Sequence, residues 1–267
     1  HPLTMARLRA LGDSLPGPRP TAINVRMVAS DRSSGDLLAA GAGIKRRLYS
    51  VLSYRLDRPG TAPIVIDTGI DGRLAPARHI ENVSTHRQAL LDADMKRAAL
   101  ILATDESIEM LSGLAALTAT PGGEAALARA RLNRWQLPEA TRAAGLAWAP
   151  GLAAAPTIAG PVPLAVAPGV VVIPAGAPTP GSQMVYVHLA DGREYLLAGP
   201  VAPYAMNLAD LRTRSRLMDL WEGPQDRAGA MRWLVTLRAL QREAPGLFIA
   251  PGHDVYALTD PQHPSRM

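Results

Sequence analysis

The chain has 267 residues, 48% of them apolar and only 4% aromatic, enough to bury one large α/β domain or two small ones with Leu, Val, Ile, Ala and Met. Its formal charge of +5 comes from arginines spread along the sequence, and the densest cluster, Lys45-Arg46-Arg47, has no interleaved aromatic platform, so a nucleic-acid partner is not expected. The absence of cysteine excludes disulfides, thiolate metal sites and a Cys nucleophile, and no apolar run approaches the roughly 20 residues of a membrane span.

The start, HPLTMARLRAL, lacks the apolar core of a signal peptide. A chain beginning at His1 rather than Met reads as trimmed, and an exported or periplasmic protein is the expectation. Leu3 to Leu11 has a helical pattern and SLPGPRP follows as an irregular connector, so residues 1–22 are expected to form an N-terminal arm and residues 23–267 the domain. INVRMVAS from Ile23 and LYSVLSYRLD from Leu48 alternate with period two, and Arg58-Pro59-Gly60 turns into PIVIDTG, predicting a meander of three strands.

Val83 to Ala98 carries a capping Ser84 and helical spacing, and AALILAT after it is a short buried strand. A second helix is expected to start at Asp105. GEAALARARLNRWQLPEATRAAG predicts two helices divided at Pro138, and APGVVVIPAG a strand. SQMVYVHLADGREYLLAG is a hairpin across Asp191-Gly192. Helices over Leu208–Glu222 and Arg227–Glu243 follow, the second with Met231, Leu234, Leu237 and Leu240 on one stripe, and LFIAPGHD closes the chain as a strand ending in Gly252-His253-Asp254. Two sheets packed face to face with helices outside both satisfy this order.

Three segments, VIDTGID (Val65 to Asp71), IPAGAPTPGSQMVYVHLADGREYLLAGP (Ile173 to Pro200) and LFIAPGHD (Leu247 to Asp254), resemble blocks of the metallo-β-lactamase superfamily, above all its lactonase-type and general hydrolase branch. The resemblance implies a four-layer αββα sandwich with the active site between sheet edges. It also implies one or two metal ions, usually zinc, held by a His-x-His-x-Asp-His motif, a Gly-His block, a strand-end Asp and a last Gly-His. Such ligands lower the pKa of a bound water and generate hydroxide near neutrality.

On this alignment the first motif falls on Asp105, Ser107, Glu109 and Met110, the Gly-His histidine on Ala177 and the bridging aspartate on Pro200; only His253 is unchanged. One identical ligand of seven and two carboxylates make a marginal zinc set. The expectation is a degenerate member with no cofactor, a weakly held divalent metal at Asp105, Glu109 and His253 being the alternative.

Bland roles stand beside these. Asp67 reads as a turn-capping carboxylate before Gly69 or as the family's loop-organising aspartate. Asp105 reads as an N-cap, the sharper alternatives being a ligand or a general base. Glu109 reads as a solvated helix residue, and His253 as a scaffold histidine hydrogen-bonded to backbone rather than an acid–base group beside Asp254. Gly12-Asp13-Ser14-Leu15 spells the GDSL hydrolase block without its strand setting or its Asp-x-x-His partner. Gly41-Ala42-Gly43 lacks a dinucleotide site's setting, and the methionines read as core fillers.

The functional expectation is binding of a small organic ligand or a protein partner at a vestigial cleft of Asp67, Asp105, Ser107, Glu109, Met110, Ala177, Pro200 and His253. The alternatives are a lactonase- or esterase-like hydrolase with an atypical metal set or none, and a homodimer through the arm.

Overall fold

The structure, a computed structural model, describes residues 1–259, with residues 221 and 222 described through their backbone alone. Residues 260–267 of the expected domain lie outside the described residues. The chain divides into two compact units: a first of Thr21–Asp31 and Ser50–Gly160, and a second of His1–Pro20, Arg32–Tyr49 and the chain from Pro161 on.

The first unit is organised on a mixed sheet of β1 (Ala22–Ser34), β2 (Arg46–Asp57), β3 (Ile64–Ile66), β4 (Asn82–Val83) and β5 (Leu100–Leu102) in the order β4-β1-β2-β3-β5. Residues 32–49, the end of β1 and the start of β2, belong to the second unit. The predicted meander forms, with Tyr54 paired to Ile66 across antiparallel β2 and β3. The wholly buried β3 and β5 run parallel, Val65 beside Ile101, as continuous apolar runs favour.

The crossover joining them carries the helix Thr85–Arg97, whose Ser84 cap accepts from the Arg87 amide at 3.3 Å. Leu91 and Met95 face inward, and the buried Asp94 is neutralised by Arg26 at 2.8 Å, by Arg55 at 3.4 Å and by Arg97. The segment expected as two helices divided at Pro138 is shorter than its pattern, Glu124–Ala128 and Pro138–Thr141; Pro138 opens the second helix, where its missing N–H is no loss.

The second unit holds β6 (Leu164–Ala167), β7 (Val170–Pro174), β8 (Gln183–His188), β9 (Glu194–Leu197) and β10 (Phe248–Ala250), ordered β10-β9-β8-β7-β6. β6 to β9 pair antiparallel and β10 joins β9 in parallel, so this sheet is mixed as well. The β8–β9 hairpin turns at Asp191-Gly192 as predicted: Asp191 accepts from the Arg193 amide at 3.0 Å and Gly192 takes φ 89°. The helix Arg227–Glu243 matches its expectation and buries Trp233, Leu234, Leu237 and Leu240. Met231 is only half-buried, and Trp233, off the predicted stripe, donates its indole N–H to Ala175 O at 2.9 Å. Leu208–Glu222 is not one helix but Ala205–Asp210, a 3₁₀ turn and Asp219–Glu222.

Residues 1–22, read from the sequence as an arm, contribute the helix Met5–Gly12, and Leu3, Met5 and Leu8 join the core of this unit with Val171, Tyr186 and Leu237. Glu243 accepts from the Met5 amide at 2.9 Å, and Arg9 grips Glu194 through two bonds of 2.9 and 2.6 Å.

Candidate functional site

In the first unit the parallel strands β3 and β5 deliver Asp67 and Thr104 to one end of the sheet. Asp67 adopts φ 59°, a left-handed conformation that Asp tolerates. Its amide donates to Leu102 O at 2.9 Å, and its Oδ1 accepts from the Thr104 amide at 2.6 Å and from Thr104 Oγ1 at 3.0 Å. Asp67 thus joins the two strand ends and is not the turn cap expected before Gly69. Burial pushes its carboxyl up to about 7, against the Thr104 hydrogen bonds that favour the anion.

The helix of the opening motif is Ile108–Thr118, and Ser107, not Asp105, stands at its N-cap, without a side-chain capping bond. Asp105 Oδ1 instead accepts from the Ser107 amide at 2.8 Å. Burial, then the neighbouring Glu106 and more weakly Glu109, hold the Asp105 carboxyl well above the usual carboxylate range, opposed by the bonds from Ser107.

Glu109, read as solvated, is 2% exposed, and its Oε1 receives Arg78 Nε at 2.8 Å; its Oε2 is buried without a hydrogen bond. Met110 is buried too, and its carbonyl accepts from both the amide and the hydroxyl of Thr68 at 2.8 and 3.0 Å. Gly113, one turn on, lets the helix approach so closely that a Cβ there would lie 1.9 Å from Thr68 O.

In the second unit Ala177 lies buried in the core, and Pro200 sits in the 3₁₀ turn Gly199–Val201 after β9. His253 follows β10, brought beside that turn because Gly252 lies against Gly199, where a Cβ would meet Gly199 O at 2.4 Å. The His253 amide donates to Pro203 O at 2.9 Å, its ring stacks on Tyr49 at 4.1 Å, and the Tyr49 hydroxyl stands 3.1 Å from Nε2. The Asp254 carboxylate oxygens accept from the Ala205 and Ala257 amides, each at 3.3 Å.

Among the described residues no group of three or more His, Asp and Glu side chains converges to hold a metal ion. The donor chemistry agrees, since one carboxylate is committed to a guanidinium, another is held towards its neutral form, and Met110 is in the core. These residues do not fit a zinc centre, which requires three or more deprotonated ligands. Reading the sequence missed Arg78 and Tyr49. Neither stands in a motif, and each reaches its partner across a gap, of 31 residues for Arg78 and 204 for Tyr49, that no local spacing encodes.

No protein-family model matches the sequence, and no curated protein matches it. Solved structures do. A quorum-quenching N-acyl homoserine lactone lactonase aligns with TM-score 0.69 at 16% identity, covering 91% of this chain and 95% of its own. A probable metal-dependent hydrolase from Staphylococcus aureus aligns with TM-score 0.64 at 10% identity, covering 90% and 91%. A hydrolase of the β-lactamase superfamily aligns with TM-score 0.55 at 14% identity, covering 92% of each chain. The chain therefore has the metallo-β-lactamase fold, an α/β architecture of two mixed five-stranded sheets with helices.

Proposed function

We propose that this metallo-β-lactamase-fold chain is a binding protein, for a small organic ligand or a protein partner, and does not hydrolyse through a metal-activated hydroxide. The observation that carries the reading is the ion pair of Glu109 with Arg78, buried on the carboxylate side. A guanidinium is always charged, so Arg78 supplies to Glu109 the positive charge that a metal ion would otherwise bring. Elemental analysis of the purified chain, with turnover measured on lactones and esters, tests it. The expected result is no stoichiometric transition metal and no turnover. About one equivalent of metal, lost together with turnover in His253→Ala, overturns it.

A second reading, a metal-free lactone or ester hydrolase, is supported by the imidazole–phenol pair of His253 and Tyr49. Its signature is turnover that survives chelation and falls about a hundredfold or more in Tyr49→Phe or His253→Ala.

A further inference from the structure

The geometry points to a binding site in the second unit for a single-chain organic anion, a carboxylate or phosphate head on an aliphatic tail, in a cavity that adjoins the His253 segment through Pro251 and Asp254 without being lined by His253. The cavity has a volume of about 790 Å³, and Asp67, Asp105, Ser107, Glu109, Met110, Ala177, Pro200 and His253 do not line it. The inference therefore stands independently of the reading above.

Four cationic residues, Arg32, Lys45, Arg46 and Arg47, belong to the lining. Lys45, Arg46 and Arg47 are exposed and form no ion pair with another described residue; Arg46 donates to the Arg32 carbonyl at 2.7 Å. Among the described residues the single lining carboxylate, Asp254, already accepts backbone N–H bonds from Ala205 and Ala257. Among the described residues an anion entering the cavity meets four cations and one occupied carboxylate. The rest of the described lining is largely apolar: Leu48, Leu208, and Phe248 and Ile249 of the edge strand β10 supply the apolar floor of the site, and Tyr256 is 66% exposed.

The wall is built before any ligand arrives. Tyr204 donates its hydroxyl to Leu48 O at 2.6 Å, and Asn207 donates to Leu38 O at 2.9 Å. The Ala40 amide donates to Thr213 O at 3.0 Å, and the Gly35 amide to Lys45 O at 3.0 Å. Segment 35–48 is thus fastened at several points to the loops that complete the cavity, which limits the ordering cost of binding.

Exposed cations attract a bare anion weakly because water and salt screen them. The concave apolar floor adds what the charges lack, so the ligand that uses both features has a charged head and a tail. A polyanion spread over the surface would leave the floor unused, and a neutral chain would leave the cations unused.

Calorimetric titration of the full chain with monomeric decanoate and decyl phosphate tests this. The expected result is saturable one-to-one binding that weakens as salt rises. It should fall at least about tenfold in Lys45→Glu/Arg47→Glu, and several-fold in Tyr256→Ala, with circular dichroism unchanged. Acetate and inorganic phosphate should give no saturable heat. Equal affinity for decanol, unchanged affinity in the folded double variant, no saturable binding of either amphiphile, or attachment to anionic vesicles without binding of monomeric decanoate would each overturn the proposal, the last in favour of a membrane surface. None of these results depends on metal content or turnover.

Discussion

Asp67 and Glu109 are both buried carboxyl groups, yet the first unit manages them in opposite ways. Among the described residues Asp67 has the amide and hydroxyl of Thr104 to stabilise its charge, and burial raises its pKa to about 7. Because its pKa is higher folded than unfolded, folding takes up a proton. Its contribution to stability is full below about 4, declines as pH rises towards about 7 and is lost above that, with a slope of at most about 1.4 kcal/mol per pH unit. Denaturant unfolding of Asp67→Asn and wild type across that window should show a steeper fall in the wild type, the difference being at most that slope, because the raised Asp105 carboxyl titrates in both. Glu109 is served by a full positive charge from Arg78. Removing Arg78 strands a buried carboxylate, so Arg78→Ala should lower stability by about 3 kcal/mol, whereas Arg78→Ala/Glu109→Leu should recover most of it. An unchanged midpoint in the single variant would mean that the pair carries no weight. Neither behaviour was legible locally: Asp105-x-x-x-Glu109 marked an acidic cluster at a strand end, but burial and the arrival of Arg78 are long-range events.

At the scale of elements, the junction of β3, β5 and the helix Ile108–Thr118 is fixed by close backbone approach rather than by capping. Ser107 makes no capping bond, while Thr68 binds the helix through Met110 O and the Leu114 amide. Gly113 permits that contact, with Thr68 O 1.9 Å from where a Cβ would sit. Gly113→Ala should therefore force the helix away and cost about 3 kcal/mol in thermal or chemical unfolding, although alanine is the better helix former. Ser107→Ala should cost less than about 0.5 kcal/mol, against about 1 kcal/mol for Ser84→Ala, whose hydroxyl does cap. The sequence identified Ser84 correctly because its cap is local. It assigned the second cap to Asp105 because Asp suits a helix start, and chain geometry moved the start to Ile108.

On the scale of the whole molecule, the first twenty residues are part of the second unit, although the proline-rich SLPGPRP separates them from the strands. Leu3, Met5 and Leu8 are buried there, and Arg9 pairs with Glu194. Burying three such side chains contributes roughly 5 kcal/mol or more. Deletion of residues 1–20 should therefore lower the melting temperature of the remaining chain by more than about 10 °C or leave it unfolded. A truncated chain that melts like the full one would restore the independent arm.

Periodicity and turn chemistry by themselves determined the meander, the helix after Ser84, the hairpin across Asp191-Gly192 and the helix Arg227–Glu243, because spacing and caps act over a few residues. Three short blocks determined the resemblance whose fold the solved structures share. Only the tertiary structure decided that Glu109 is buried against Arg78, that His253 stacks on Tyr49, that the first helix belongs to a core, and that the cations after Gly43 meet an apolar floor beside β10. Each of these joins residues distant along the chain, and the burial that gives them their chemistry exists only once the chain has closed around them.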